Sequence, residues 1–387
     1  MKLNFGKNFW LLSLSMFFFM AGFNLIMPEL NQFISKLGGE EQKGLVITLF
    51  TISAGLSRPF SGKLADKIGR KKVIYIGAIC SVLVSLIYPF SSSVLFFLIL
   101  RFLHGFSAGF TPTGATALLT DITPVNRRGS AMGIWGTFIS LGIGAGQSTG
   151  SWICINYGFN ILFLTASICS VLAILFFFEV NESLMQVNKF QLSDLKIQWT
   201  DIFEPSVRPA AIVMFLTATC SGIIFVVTPD ISSYLKIENK GFFFGVYVIS
   251  TIVIRLLTSS ISDRIGRRQI LLAGCFLLVF SMLLIATSQS INSYILSAIM
   301  FGFATGISSP TLFAWTADLS SVNRRGVGAG TIFIALELGI MIGSLSTLVF
   351  YHNTKSTVYL AFSAGALFAL LAALYLIWHL RTQFSRY

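Results

Sequence analysis

A chain of 387 residues that is 55% hydrophobic, 11% charged and carries 38 Phe has a mean hydropathy of +0.80, which excludes an ordinary soluble protein of two or three domains. The net charge of +12 invites a nucleic-acid partner, but the cations fall in short segments between apolar runs rather than on one face, and that excludes it. Twelve apolar runs, each long enough to cross a hydrocarbon core of roughly 30 Å, are predicted near 9–30, 44–62, 73–92, 94–117, 130–152, 159–179, 208–231, 242–261, 269–289, 291–316, 327–350 and 357–379. With the N-terminus placed in the cytoplasm, 19 of the 27 Lys and Arg lie in inner segments, five lie outside, and Arg58, Arg101 and Arg255 lie within spans. The positive-inside rule therefore predicts a multi-pass protein of the cell membrane with both termini cytoplasmic. No small-residue cleavage site follows the first run, which reads as a retained helix.

In chain order, the first run has a sparse polar face, Ser13 and Asn24, and ends at Pro28 and Glu29. Between the second and third runs, "SGKLADKIGRKK" (61–72) packs six charges. There Gly62 is expected to let neighbouring helices approach closely, Gly69 to permit a tight turn, and Asp66 to pair with Arg70 or with Arg127 and Arg128. The fourth run carries Arg101 and His104, with Ala108 and Thr111 on the same helical face. A charged group within a span costs at least about 2.5–3.5 kcal/mol, so each needs a reason. His104 either titrates near neutral pH or is a buried donor to a backbone carbonyl. In the fifth run, "GIGAGQSTG" (142–150) resembles a phosphate loop but has no Lys and lies mid-membrane, which argues against nucleotide binding. Gly142, Gly146 and Gly150 instead have the spacing of close helix contact.

The polar stretch 181–206 reads as a cytoplasmic linker between an N-terminal bundle (1–180) and a C-terminal bundle (207–387). The seventh run carries Thr217, Ser221 and Thr228 and ends at Pro229 and Asp230. The tenth has a stripe of Phe301, Thr305, Ser308 and Trp315; few polar groups among aromatics suit a lipophilic ligand, although such stripes are usually packing. In the eleventh, Glu337 falls near the midplane, turned away from the small-residue stripe Ala335, Gly339, Gly343 and Thr347. It is expected in a cavity or interhelical pocket, where it couples to protons or binds a cationic substrate, or else makes a structural hydrogen bond. The five cysteines sit in apolar runs without metal-ligand spacing. There is no Walker loop, catalytic Ser/His/Asp set or metal cluster, so neither an enzyme nor a cofactor is expected.

The chain repeats itself. Arg58, Asp66, Gly69 and Arg70 recur 197 residues later as Arg255, Asp263, Gly266 and Arg267, and "DITPVNRRG" (121–129) recurs as "DLSSVNRRG" (318–326), carrying Arg324 and Arg325. The fold class is therefore all-α: twelve transmembrane helices in two pseudo-symmetric six-helix bundles, the plan on which two halves rock about a midplane site.

"GKLADKIGRKK" (62–72) resembles the major facilitator superfamily signature G-x-L-x-D-x-x-G-R-K/R-K/R, in the loop where that family carries it. The resemblance extends over essentially the whole chain. It implies that Gly62, Asp66, Gly69 and Arg70, echoed by Asp263, Gly266 and Arg267, form a cytoplasmic latch with Arg127, Arg128, Arg324 and Arg325 as partners. It places Glu29 and Asp230 on cavity-lining helices, where they are either an outer-gate or coupling pair or interfacial charges at helix ends, beside cavity candidates Asn24, Thr111, Thr217, Ser221, Phe301, Thr305 and Trp315. "RFLHG" resembles the family's R-x-x-Q-G motif of proton-coupled members, with His104 in place of Gln. Gln147 stands where the family's antiporter motif has Pro, a departure that bears on antiport and leaves transport untouched. The expected function is proton-coupled export of a small amphipathic or hydrophobic molecule by a monomer, powered by the proton gradient. Proton symport or uniport of a nutrient, and a non-transporting sensor or scaffold, are the alternatives.

Overall fold

The structure is a computed structural model that describes residues 5–124, 128–184, 187–198, 202–258, 265–320 and 325–384. The described residues form twelve α-helical elements: α1 (Lys7–Leu25), α2 (Leu30–Lys36), α3 (Lys43–Ile68), α4 (Arg70–Ile87), α5 (Val94–Ile122), α6 (Arg128–Phe178), α7 (Arg208–Tyr234), α8 (Phe242–Thr258), α9 (Arg267–Ala286), α10 (Ile291–Leu319), α11 (Arg325–Phe350) and α12 (Lys355–Phe384). The short α2 continues the first span after a 3-10 turn at Met27–Glu29. The long α6 is two spans: Gly158 breaks it with a φ of +82°, a backbone conformation open to glycine. Nine stretches among the described residues are long and apolar enough to cross a membrane. Dividing one at Gly158 and adding α3 and α8 is consistent with twelve spans. Helices suit the role because they satisfy every backbone polar group within the segment.

The chain divides into one unit of Met1–Gly38 with Ile52–Gln198 and a second of Gly39–Thr51 with Trp199–Tyr387. The start of α3 thus groups with the second unit. The same packing plan recurs within each. In the first, α1 lies against both arms of α6, and α4 against α5; in the second, α7 lies against α11 and α12, and α9 against α10. Local devices recur too. Ser93 caps α5 by accepting the Phe96 N–H, and Ser290 caps α10 by accepting that of Ser293. Gly69 and Gly266 start α4 and α9 with φ of +111° and +110°.

Candidate functional site

The turn at Gly69 is built around an anion. Glu182, four residues after α6 ends, accepts the backbone N–H groups of Arg70 and Lys71 at 3.1 and 2.9 Å, and those of Ser183 and Leu184. A carboxylate there satisfies the orphan N–H groups of the α4 start and meets the positive end of its dipole. Arg70 in turn holds Asp66 one turn back and Asp121 at 3.1 Å, and Ser183 donates to the same Asp121 oxygen at 2.7 Å. Farther along the linker, Asp194 accepts from Lys67 at 2.5 Å, and Lys63 donates to the Lys196 carbonyl. The Lys67 ammonium and the Gln191 N–H hold the Asp194 carboxyl below its ordinary range. The linker is therefore seated on the charged loop, and Glu182 and Asp194 are partners that pattern reading missed. The available signal was charge complementarity between an acidic linker and a basic loop.

Gly69 and Gly62 separate here. A Cβ on Gly69 would lie 2.7 Å from Glu182 Oε2, whereas one on Gly62 would meet nothing within 4 Å among the described residues. Among the described residues no neighbour comes near position 62, whereas Gly69 stands against the Glu182 carboxylate. Gly69→Ala is expected to destabilise the protein by ~2–3 kcal/mol through backbone strain and displacement of the cap, and Gly62→Ala to be neutral. Thermal unfolding of both variants in detergent checks this; equal midpoints would refute it. In the second unit, Arg267 meets Asp318 at 3.1 Å, as Arg70 meets Asp121. Arg127, Asp263 and Arg324 lie outside the described residues, as do the side chains of Arg128 and Arg325.

Arg101 and His104 are fully buried. The Arg101 guanidinium donates to the Tyr88 hydroxyl at 3.4 Å, and that hydroxyl lies 3.0 Å from His104 Nδ1. His104 Nε2 lies 3.2 Å from Ser81 Oγ, which is 3.0 Å from Ser170 Oγ, itself donating to the Ala166 carbonyl. Each hydroxyl and each imidazole nitrogen of this chain therefore has a polar neighbour within hydrogen-bonding distance. The chain ties α4, α5 and the second arm of α6 together in an apolar interior. Nothing in the spacing of "RFLHG" reveals Tyr88, Ser81 or Ser170, because they come from other helices.

Along α1, Gly142, Gly146 and Gly150 of α6 face backbone. A Cβ on them would lie 2.4 Å from the Phe17 carbonyl oxygen, 2.4 Å from that of Ala21 and 1.9 Å from that of Leu25. Gln147 donates to Asn24 Oδ1 at 3.1 Å within this contact, and Ser151 donates to Glu29 Oε1 at 2.7 Å one turn on. Glu29 is only 2% exposed.

In the second unit, Asp230 accepts from Lys43 Nζ at 2.8 Å and from the Tyr351 hydroxyl at 2.7 Å, while Tyr234 and Tyr351 share a 2.9 Å hydrogen bond. Burial and the Asp230 carboxylate push the Tyr351 phenol well above its ordinary range, so it stays a donor. Glu337 is buried on α11, 8% exposed. Its helix touches α7 through Gly339 and Gly343, whose Cβ positions lie 2.4 Å from the Phe215 carbonyl oxygen and 2.0 Å from that of Thr219. Of the cavity candidates, Asn24, Thr111, Phe301 and Trp315 are buried, whereas Thr217, Ser221 and Thr305 are half-buried. Thr111 donates to the Ile74 carbonyl and Thr217 to that of Val213. Each of these two hydrogen bonds stays within its own unit.

The family model described as Major Facilitator Superfamily matches residues 12–236 and again 210–384. Multidrug resistance protein MdtG of Salmonella arizonae is 27% identical over 348 residues, covering 86% of this chain and 84% of the relative. The protein named Uncharacterized MFS-type transporter MJ1560 of Methanocaldococcus jannaschii is 24% identical over 348 residues, covering 88% and 90%. Among solved structures, the human organic anion transporter MFSD10 has a TM-score of 0.73 at 18% identity, covering 96% of this chain and 99% of that one. The peptide transporter POT has a TM-score of 0.79 at 14% identity, covering 97% and 94%. Two six-helix bundles with a repeated loop signature, matched by the family model in both halves, make this chain a member of the major facilitator superfamily, a transporter rather than an enzyme.

Proposed function

We propose that the protein is a proton-coupled exporter of small amphipathic or hydrophobic molecules, working in the cell membrane with both termini in the cytoplasm. The observation that carries this reading is a set of carboxylates within the membrane-spanning stretches, Glu29 and Glu337 buried and Asp230 mostly so. A charge at the centre of a span opposes insertion by about 2.5–3.5 kcal/mol, and Glu337 is retained there, as a group that binds and releases protons would be. Relatives named multidrug resistance proteins support efflux. In the cycle, Glu337 and Glu29 take up protons from the outer side and release them inside as substrate loads. The Arg70 cluster, braced by Glu182, governs closure of the inner side. Arg101 and His104 hold α4, α5 and α6 in register rather than carry the proton.

Substrate-driven proton movement in proteoliposomes tests this. Wild type is expected to move protons with an amphipathic cation, and Glu337→Gln to lose coupling at least ~10-fold. Unchanged coupling in the variant removes Glu337 from the mechanism. Accumulation of a nutrient together with protons makes the protein an importer, and absence of flux across a broad substrate panel makes it a sensor.

A further inference from the structure

Past the charged loop, the linker is inside out for water. Over residues 187–196, "VNKFQLSDLK", the acid Asp194 is buried, whereas Val187, Phe190, Leu192 and Leu195 are 44%, 52%, 80% and 41% exposed. A segment bathed in water does the reverse, because burying a carboxylate costs free energy and burying leucine gains it. Single exposed leucines are ordinary on a protein surface, but a run of apolar side chains left outside marks a contact surface.

Hydrogen bonds to α3 fix the segment in this sense. The Asn188 N–H donates to the Lys67 carbonyl at 2.9 Å, Lys67 holds Asp194, and Lys63 donates to the Lys196 carbonyl. Asp194 also accepts the Gln191 N–H at 2.9 Å, which closes the short turn Leu192–Leu195. The polar contacts of the segment thus go to α3, and its apolar side chains are left outside.

The same contacts set its depth. Asn188 meets α3 at Lys67, one residue before the helix ends, and Lys196 meets it at Lys63. That is one turn back, about 6 Å along the axis. Lys63 directly follows the apolar run 44–62, so the linker returns from the helix tip toward the edge of the hydrocarbon. Lipid-facing surface reaches the same end of the unit: Leu175 and Phe178, at the end of α6, are 60% and 73% exposed, and Lys71 beside the α3–α4 turn donates to the Phe178 carbonyl. The charge is complementary to an anionic surface. Lys63, Lys67, Lys189 and Lys196 stand against the single acid Asp194, which Lys67 holds.

We infer that residues 187–196 form an interfacial anchor seated in an anionic lipid leaflet at the Ile68 end of α3. Phe190 and Leu192 enter the boundary between headgroups and acyl chains, and the exposed Lys189 and Lys196 reach the lipid phosphates. The depth of the segment and its cations favour a lipid surface over a protein partner. The anchor joins the linker to the bilayer on one side and to the Arg70 loop on the other, and it holds whether or not the protein couples transport to protons.

A nitroxide at position 192 tests this. It is introduced by Leu192→Cys in the full-length chain with its five native cysteines replaced by alanine, in vesicles of phosphatidylcholine with or without phosphatidylglycerol. A label at Glu41→Cys, an exposed loop position, is the aqueous reference. With phosphatidylglycerol, the collision ratio of oxygen to an aqueous nickel chelate is expected to be at least ~3-fold higher at 192 than at 41. Omitting phosphatidylglycerol, or introducing Lys189→Gln/Lys196→Gln, is expected to lower the ratio at 192 by about half or more. The unmodified chain gives a second measurement that needs no cysteine replacement. Deuterium uptake over 187–198 is expected to be at least ~3-fold slower with phosphatidylglycerol than without it, and the double lysine variant to lose the difference. A label at 192 as open to the nickel chelate as that at 41 overturns the anchor. So does one shielded from both reagents, as beneath a protein partner or a second copy, or one equally lipid-exposed with and without phosphatidylglycerol.

Discussion

Gly150→Ala is expected to destabilise the protein by ~3 kcal/mol, the upper end of what overpacking costs. The added methyl would sit 1.9 Å from the Leu25 carbonyl oxygen and 2.9 Å from the Leu25 carbonyl carbon, both backbone atoms. No rotamer change relieves such a contact, so α1 must move away from α6. The movement would also open the Gln147–Asn24 hydrogen bond and draw Glu29 from Ser151. Gly136→Ala on the same helix is the control: nothing lies within 4 Å of its Cβ among the described residues, and alanine favours the helix by up to ~1 kcal/mol. Thermal unfolding in detergent is expected to separate the two by several degrees. Equal midpoints would show that the two backbones do not pack as closely as the structure places them.

The second large effect is expected at Lys43. Its ammonium and the Asp230 carboxylate are 11% and 15% exposed as side chains, and the Tyr351 hydroxyl also donates to that carboxylate. Lys43→Met removes the cation and leaves a mostly buried carboxylate without its lysine counter-charge, a change that costs about 3 kcal/mol or somewhat more. Adding Asp230→Asn to that variant should restore most of the loss, because the neutral amide no longer demands a counter-charge and still accepts from Tyr351. The double-mutant cycle separates this from simple loss of packing by the lysine stem. Additive losses from the two single changes would mean that the pair carries no coupling energy.

These two sites mark the limit of what the order of residues conveys. Twelve helices and their duplication were legible because they are written locally, as runs of apolar residues long enough to span a bilayer and as a motif repeated at constant offset. The spacing of Gly142, Gly146 and Gly150 announced a close contact, since small residues every four positions make a smooth helical stripe. The stripe could not say that α1 lies on it. Arg101 and His104 were conspicuous as charges in a span, but their partners come from elsewhere: Ser81 from α4, Tyr88 from the turn just after it and Ser170 from α6.

The same holds at the charged loop and at Asp230. Sequence identified Gly69, Asp66 and Arg70 by type and spacing, and it offered Arg70, or else Arg127 and Arg128, as counterparts to Asp66. Tertiary structure placed Arg70 on Asp66 and on Asp121 and set Glu182 as the cap of the helix start, which no spacing conveyed. Lys43 is one of the five outer cations by sequence, and the fold brings it onto Asp230 across 187 residues of chain. Apolar length, helical period and internal repetition depend only on neighbours along the chain, so the sequence alone determined a twofold-repeated bundle of membrane-spanning helices. Which carboxylate meets which cation depends on how separate helices pack, and only the tertiary structure decided that.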